Sequence, residues 1–189
     1  RSGDLSGSLS AVRCGLKSRR FPLSACMDKV PFHWQAALDA AGIVLPAAAP
    51  PAAAYTPVVV HQGLAFVSGQ LPRDETGVRT VGLVGVETTL AAAQEGARLA
   101  LVRGLAALRD GLGGLDRLDR ILKMTVFVQS GPDFVDQSAV ADGASTVLFA
   151  LLGPERGRHA RSAVGVAKLP RNAAVEIELI ASVRPVAGP

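Results

Sequence analysis

Cysteine is nearly missing from this chain of 189 residues: there are two, Cys14 and Cys26, and both fall in the first 26 positions. The rest of the chain has no disulfide framework, thiolate nucleophile or cysteine metal site to draw on. Aromatic residues are scarce at 4 %, so the core must come mainly from Ala, Val and Leu within a hydrophobic fraction of 49 %. No apolar run approaches the length of a membrane span. Histidine is limited to His33, His61 and His159, which lie far apart and in different elements, so no catalytic histidine pair is in view. The net charge of +4 is also missing from most of the chain. Residues 1–26 hold five basic side chains and the single acid Asp4, leaving 15 basic and 15 acidic side chains in residues 27–189. A body with no charge excess offers no electrostatic footprint for a phosphate backbone, which argues against a nucleic-acid partner.

Residues 1–26 are rich in Arg and Ser and almost free of acids, the composition of an organelle transit peptide, but they carry no amphipathic stripe. Met27 follows directly, and we expect it to be the natural start, with 1–26 a leader outside the fold and the protein cytoplasmic. Residues 27–51 are expected to hold a short helix over Pro31–Ala41, closed by Gly42, and a Pro/Ala linker; 52–185 form the main domain, and 186–189 a tail.

Periodicity sets the main elements. Val58–Val60 and Leu64–Ser68 alternate as strands around a His61-Gln62-Gly63 turn, and residues 73–80 read as a polar, irregular loop. Leu90, Ala97, Leu101, Leu105, Leu108 and Leu112 form a helical stripe over about 90–112, with Thr88 or Thr89 as its cap and glycines at its end. Ile121–Val128 is a strand rich in β-branched residues. Phe134, Val140, Ala144, Val147, Leu148 and Leu151 predict a second helix, stopped by Gly153-Pro154. The order β-β-α-β-α-β-β then predicts an α+β mixed sheet with two helices on one face. The other face stays open, and assembly into a symmetric ring would cover it.

The last two strands carry charges where a half-buried sheet should have none. In the second, Val175, Ile177, Leu179 and Ala181 share one face while Glu176, Glu178 and Ile180 take the other. In the first, Arg161 shares a face with the small residues Ala163, Gly165 and Ala167. Paired as a hairpin across Leu169–Asn172, the strands would aim an arginine and a carboxylate into one space above the sheet, a candidate anion-and-water site.

Tyr55, then Phe66-Val-Ser-Gly-Gln-Leu-Pro72, then Thr125-Val-Phe-Val128, then Ala160-Arg-Ser before Val175-Glu-Ile-Glu178, resemble the RidA (YjgF) family of enamine/imine deaminases over roughly residues 52–184. The resemblance implies the chorismate-mutase-like α+β fold and a homotrimer with three clefts between subunits. It also implies hydrolysis of 2-imino and 2-enamino acids to 2-oxo acids and ammonia, without metal or cofactor; the lack of a long apolar run separately predicts no membrane partner.

Residue by residue, it casts Arg161 as the group that binds the substrate carboxylate, a role suited to a permanently charged two-pronged donor. Glu176 is cast as the carboxylate that holds and polarises the attacking water. Tyr55, Ser68, Gly69 and Ala163 are cast as substrate-lining positions. Two positions depart from the deaminases. Ala163 stands where they usually have cysteine, and Ser130-Gly-Pro-Asp133 where they usually have asparagine. The run Gly157-Arg-His-Ala-Arg-Ser-Ala-Val-Gly165 resembles a divergent branch of the family. The alternative reading is a non-catalytic trimer that binds small carboxylates, such as 2-oxo acids, through Arg161.

Overall fold

Strand alternation and two long apolar helical stripes organise the chain around one sheet. A computed structural model describes residues 32–47 and 54–185. In chain order the elements are α1 (Trp34–Ala40), β1 (Val58–His61), β2 (Leu64–Gln70), β3 (Arg73–Asp74), β4 (Gly77–Val78), α2 (Leu90–Leu112), β5 (Leu118–Gln129), α3 (Gln137–Arg156), β6 (Ala160–Val166) and β7 (Val175–Val183). The leader and the tail lie outside the described residues.

The sheet order is β1-β2-β7-β5-β6. All neighbours are antiparallel except β5 and β6, which run parallel, with α3 as the crossover between them. A parallel neighbour requires such a crossover, and a helix of 20 residues supplies it. The expected hairpin between the last two strands is therefore not formed, because β5 lies between β6 and β7. The stretch read as an irregular loop holds the small β3–β4 hairpin, closed by Gly77 at φ 126°.

Both long helices pack on one face, as the pattern predicted. The side chain of Thr89 accepts a hydrogen bond from the Ala92 amide at the start of α2, and Gly113 ends it in the left-handed conformation at φ 71°. Ala97, Leu101, Leu105 and Leu108 are fully buried against Met124, Val126, Ile177 and Leu179 of the sheet. α3 presents Val140, Ala144 and Leu148 to the same core. Its regular turn breaks at Gly153 (φ 73°, ψ 176°), as the Gly-Pro pair predicts, but one further turn follows and carries the helix to Arg156.

The first helix is shorter than expected, seven residues, and packs beside α3. Its anchor is Trp34, 1 % exposed, whose indole N–H donates to the Leu118 carbonyl at 2.7 Å. A buried indole N–H left unpaired would cost on the order of 1–3 kcal/mol, so this bond fixes where the helix sits on β5.

The opposite sheet face has no element packed on it among the described residues. Val59, Phe66 and Val164 lie on it at 52, 41 and 42 % exposure. Glu176, Glu178, Lys123 and Thr125 are interspersed with them.

Candidate functional site

The site begins with a bulge. Val67 pairs with Leu179, but the next paired residue of β2 is Gln70, opposite Ile177. Three steps on β2 thus match two on β7, and Ser68-Gly69 holds the surplus residue. The Gln70 side-chain amide closes the bulge by donating to the Ser68 carbonyl at 3.0 Å. Ser68 itself binds the chain ahead of β1: its hydroxyl donates to the Thr56 carbonyl at 2.9 Å, and its amide donates to Pro57 at 2.9 Å. Tyr55, one residue before Thr56, is half exposed.

Across the ladder, the Glu176 carboxyl lies against the Cα of Gly69, so closely that a Cβ there would overlap it. Gly69 has no positive φ, so glycine serves here for space and not for backbone conformation. Glu176 has no hydrogen bond or ion pair among the described residues. Burial pushes its carboxyl above the ordinary glutamate value of 4.5, and the charge of Glu178 on the same face raises it further. A half-buried, unpaired carboxylate of raised basicity is suited to take a proton from water. Beside it, an open groove of about 290 Å³ runs along the sheet between Val59, Phe66, Ser68, Lys123, Thr125 and Glu178.

The raised pKa has a consequence for stability. A group whose folded-state pKa exceeds its unfolded value makes folding less favourable above that range, and the penalty fades as pH falls below the unfolded value. Glu176→Gln should therefore melt higher than wild type at pH 7. The difference should close only as pH falls below 4.5, which calorimetry at pH 7 and below pH 4.5 would read.

Arg161 lies on the other face. Register pairs it with the core residue Met124, and pairs Ala163 with Val126 and Gly165 with Val128. Its guanidinium reaches α3, where Nη1 donates to Asp142 Oδ1 at 2.7 Å and to Ser145 Oγ at 2.9 Å, and Nη2 donates to Ser138 Oγ at 2.8 Å. The expectation that Arg161 and Glu176 share one space within a chain is overturned. Ala163 packs partly buried against the apolar core, so it does not leave an open space over the sheet. A Cβ on Gly165 would meet Gln137 Nε2 at 3.0 Å and Ser130 Oγ at 3.2 Å.

His159 completes the second cluster. Its Nδ1 lies 2.7 Å from the Gly157 carbonyl, which can only accept, so Nδ1 carries a hydrogen. In the neutral ring Nε2 then accepts from the Ser145 hydroxyl at 3.0 Å, leaving the Ser145 oxygen to receive Arg161. The chain from Gly157 through His159 and Ser145 to Arg161 fixes the guanidinium edge. Sequence reading missed Ser138, Asp142 and Ser145. They recur at spacings of four and three, which puts them on one side of α3.

Among the described residues, no group of three or more His, Cys, Asp or Glu side chains is arranged to hold a metal ion. No helix there is long and apolar enough to cross a membrane.

Comparison with known proteins fits this architecture. The Endoribonuclease L-PSP family model matches residues 46–183. Protein TCP17 of Trypanosoma cruzi is 44 % identical over 143 residues, 76 % of this chain and 89 % of that protein. The crystal structure of the protein Atu1372 from Agrobacterium tumefaciens is 41 % identical with a TM-score of 0.73, covering 80 % of this chain and 92 % of that one. Yeast Mmf1 is 25 % identical with a TM-score of 0.52, covering 74 % and 98 %. With its α+β sheet, its two-helix layer and a match over most of its length, the chain belongs to the Endoribonuclease L-PSP family, the RidA (YjgF) family that its Ala160-Arg-Ser and Val175-Glu-Ile-Glu178 segments resemble.

Proposed function

We propose that this protein hydrolyses small 2-imino acids to 2-oxo acids and ammonia in clefts between the subunits of a homotrimer. The observation that carries the reading is the separation of Arg161 and Glu176. They lie on opposite faces of one sheet, Arg161 held by Asp142, Ser145 and Ser138 and Glu176 lying unpaired against Gly69. They serve one ligand only if one chain supplies the arginine and a neighbour the carboxylate. The exposed Phe66, Val59 and Val164 give the open face the apolar character of a surface that packs on another copy.

The chemistry asks little of the protein. The imine carbon beside a carboxylate is already electrophilic. Arg161 binds that carboxylate, and Glu176 takes a proton from water as its oxygen bonds to the imine carbon. Glu176 returns that proton to the nitrogen to give the carbinolamine. The carbinolamine hydroxyl then yields its proton through Glu176 to the amino group as the C–N bond breaks, releasing ammonia and the 2-oxo acid and leaving Glu176 ionised. Positioning and general-base assistance are each worth orders of magnitude in rate. The thiol missing at Ala163 takes no part in these steps.

The test is release of pyruvate from 2-iminopropanoate generated in the cuvette, measured above the spontaneous rate. Arg161→Ala should abolish the enzymatic part, and Glu176→Gln should cut it by about 10²-fold or more. Full activity in Arg161→Ala would remove this mechanism.

The second reading is a trimer that binds 2-oxo acids without turnover. It is favoured by Ala163 and by Ser130-Gly-Pro-Asp133 in place of the usual cysteine and asparagine. Stabilisation against heat by pyruvate, with no imine hydrolysis in the same preparation, would select it. Ribonuclease action, the activity in the family's name, finds no support in the charge balance of residues 27–189.

A further inference from the structure

We propose that Asp142 decides which carboxylates Arg161 accepts, favouring ligands with one negative charge over those with two. The inference rests on the reading of Arg161 as the carboxylate-binding group.

The donors of the guanidinium can be counted. Both Nη1 hydrogens are committed, to Asp142 and Ser145, and one Nη2 hydrogen is committed to Ser138. Of the five N–H donors of an arginine, Nε–H and the second Nη2–H remain, with no partner among the described residues. An incoming carboxylate has two routes. It takes these free donors and sits beside Asp142 on the same cation, or it displaces Asp142 from Nη1. Either way it meets the charge of Asp142, by repulsion in the first case and by competition in the second.

Neighbouring charges do not cancel this one. Glu155 and Arg158 are paired with each other at 3.0 Å. Lys123 points to the opposite sheet face, where it holds Ser162 at 2.6 Å. Asp142 is the one carboxylate on Arg161 among the described residues, and its side chain is 60 % exposed, open to the solvent from which a ligand arrives. The serines and His159 hold the guanidinium without it. Asp142 is thus a specificity-determining neighbour of the binding residue. A ligand whose side chain bears a second carboxylate brings that charge towards Asp142 as well, and pays the repulsion twice.

Calorimetric titration of pyruvate and of oxaloacetate into the full chain tests this. Asp142→Asn removes the charge and keeps an oxygen that accepts from Nη1. It should bind pyruvate roughly fivefold tighter than wild type and oxaloacetate at least about tenfold tighter, both gains shrinking in 0.5 M salt. Asp142→Glu keeps the charge and should keep wild-type discrimination. An Asn variant that melts like wild type but binds both anions no tighter would overturn the inference, with the carboxylate site intact. If wild type binds neither anion, or binds them equally well after Arg161→Ala, the reading of Arg161 fails first and this inference falls with it.

Discussion

Assembled together, Arg161→Ala and Glu176→Gln chains should recover about a quarter of wild-type imine hydrolysis, although each variant alone retains about 1 % or less. A cleft that takes its arginine from one chain and its carboxylate from the next is intact only where a Glu176→Gln chain supplies Arg161 and an Arg161→Ala chain supplies Glu176. With the two chains mixed equally and at random, about one cleft in four meets that condition. Equal co-expression without selection gives the material for that assay; doubly tagged assemblies purified from it hold both chains, so one of their three clefts is intact and they should recover about a third. Activity no higher than the sum of the two variants would exclude the shared cleft. Recovery cannot come from within one chain, because the sheet itself separates the two side chains.

The second large effect is expected at Gly69. A Cβ there overlaps the Glu176 carboxyl. The atoms in the way are the far end of a flexible side chain, and the backbone at 69 tolerates alanine, so Gly69→Ala should fold and melt close to wild type. The carboxylate, however, must swing away from the bulge that positions it. A misplacement of about 1 Å in a catalytic group costs on the order of 10²-fold in rate, and Gly69→Ala should lose about that much. The loss should fall on kcat, with KM for the imino acid changed little, because Arg161 is untouched on the other face. A variant with normal turnover would show that Glu176 need not occupy this position. One that fails to fold would show that the bulge is structural before it is functional.

The sequence revealed the elements far better than their neighbours. Leu90 to Leu112, the Thr89 cap and the terminal glycine follow from local rules, because helix periodicity, capping and positive φ are written in adjacent residues. The alternation in Val175–Ala181 likewise assigned those side chains of β7 to their correct faces. Which strand lies beside which is a long-range property, and there proximity in sequence misled. The short Leu169–Asn172 turn invited a hairpin. The strand–helix–strand order of β5, α3 and β6 carried the opposite signal, that β6 returns parallel to β5. Reading that unit first would have separated β6 from β7; the face of Arg161 then follows from its register with the core residue Met124. The polar residues of α3 were passed over for a related reason. Ser138, Asp142 and Ser145 look like an ordinary solvated helix face until β6 brings Arg161 beneath them. Gly69 was singled out for its place at a strand end, but the bulge that makes glycine necessary is visible only with β7 alongside it.

The chain has one tryptophan and one tyrosine, and the fold separates them. Trp34 is sealed against Leu118 on the helix side, while Tyr55 is half exposed just ahead of Thr56, which receives the Ser68 hydroxyl. The protein therefore carries two optical reporters with different duties. Indole emission follows loss of the core and stays silent when copies associate through the far face. Phenol absorbance responds to changes of solvent near the bulge and stays nearly blind to the core. Recorded together in one denaturation series, they would distinguish dissociation of the proposed trimer from chain unfolding without any label.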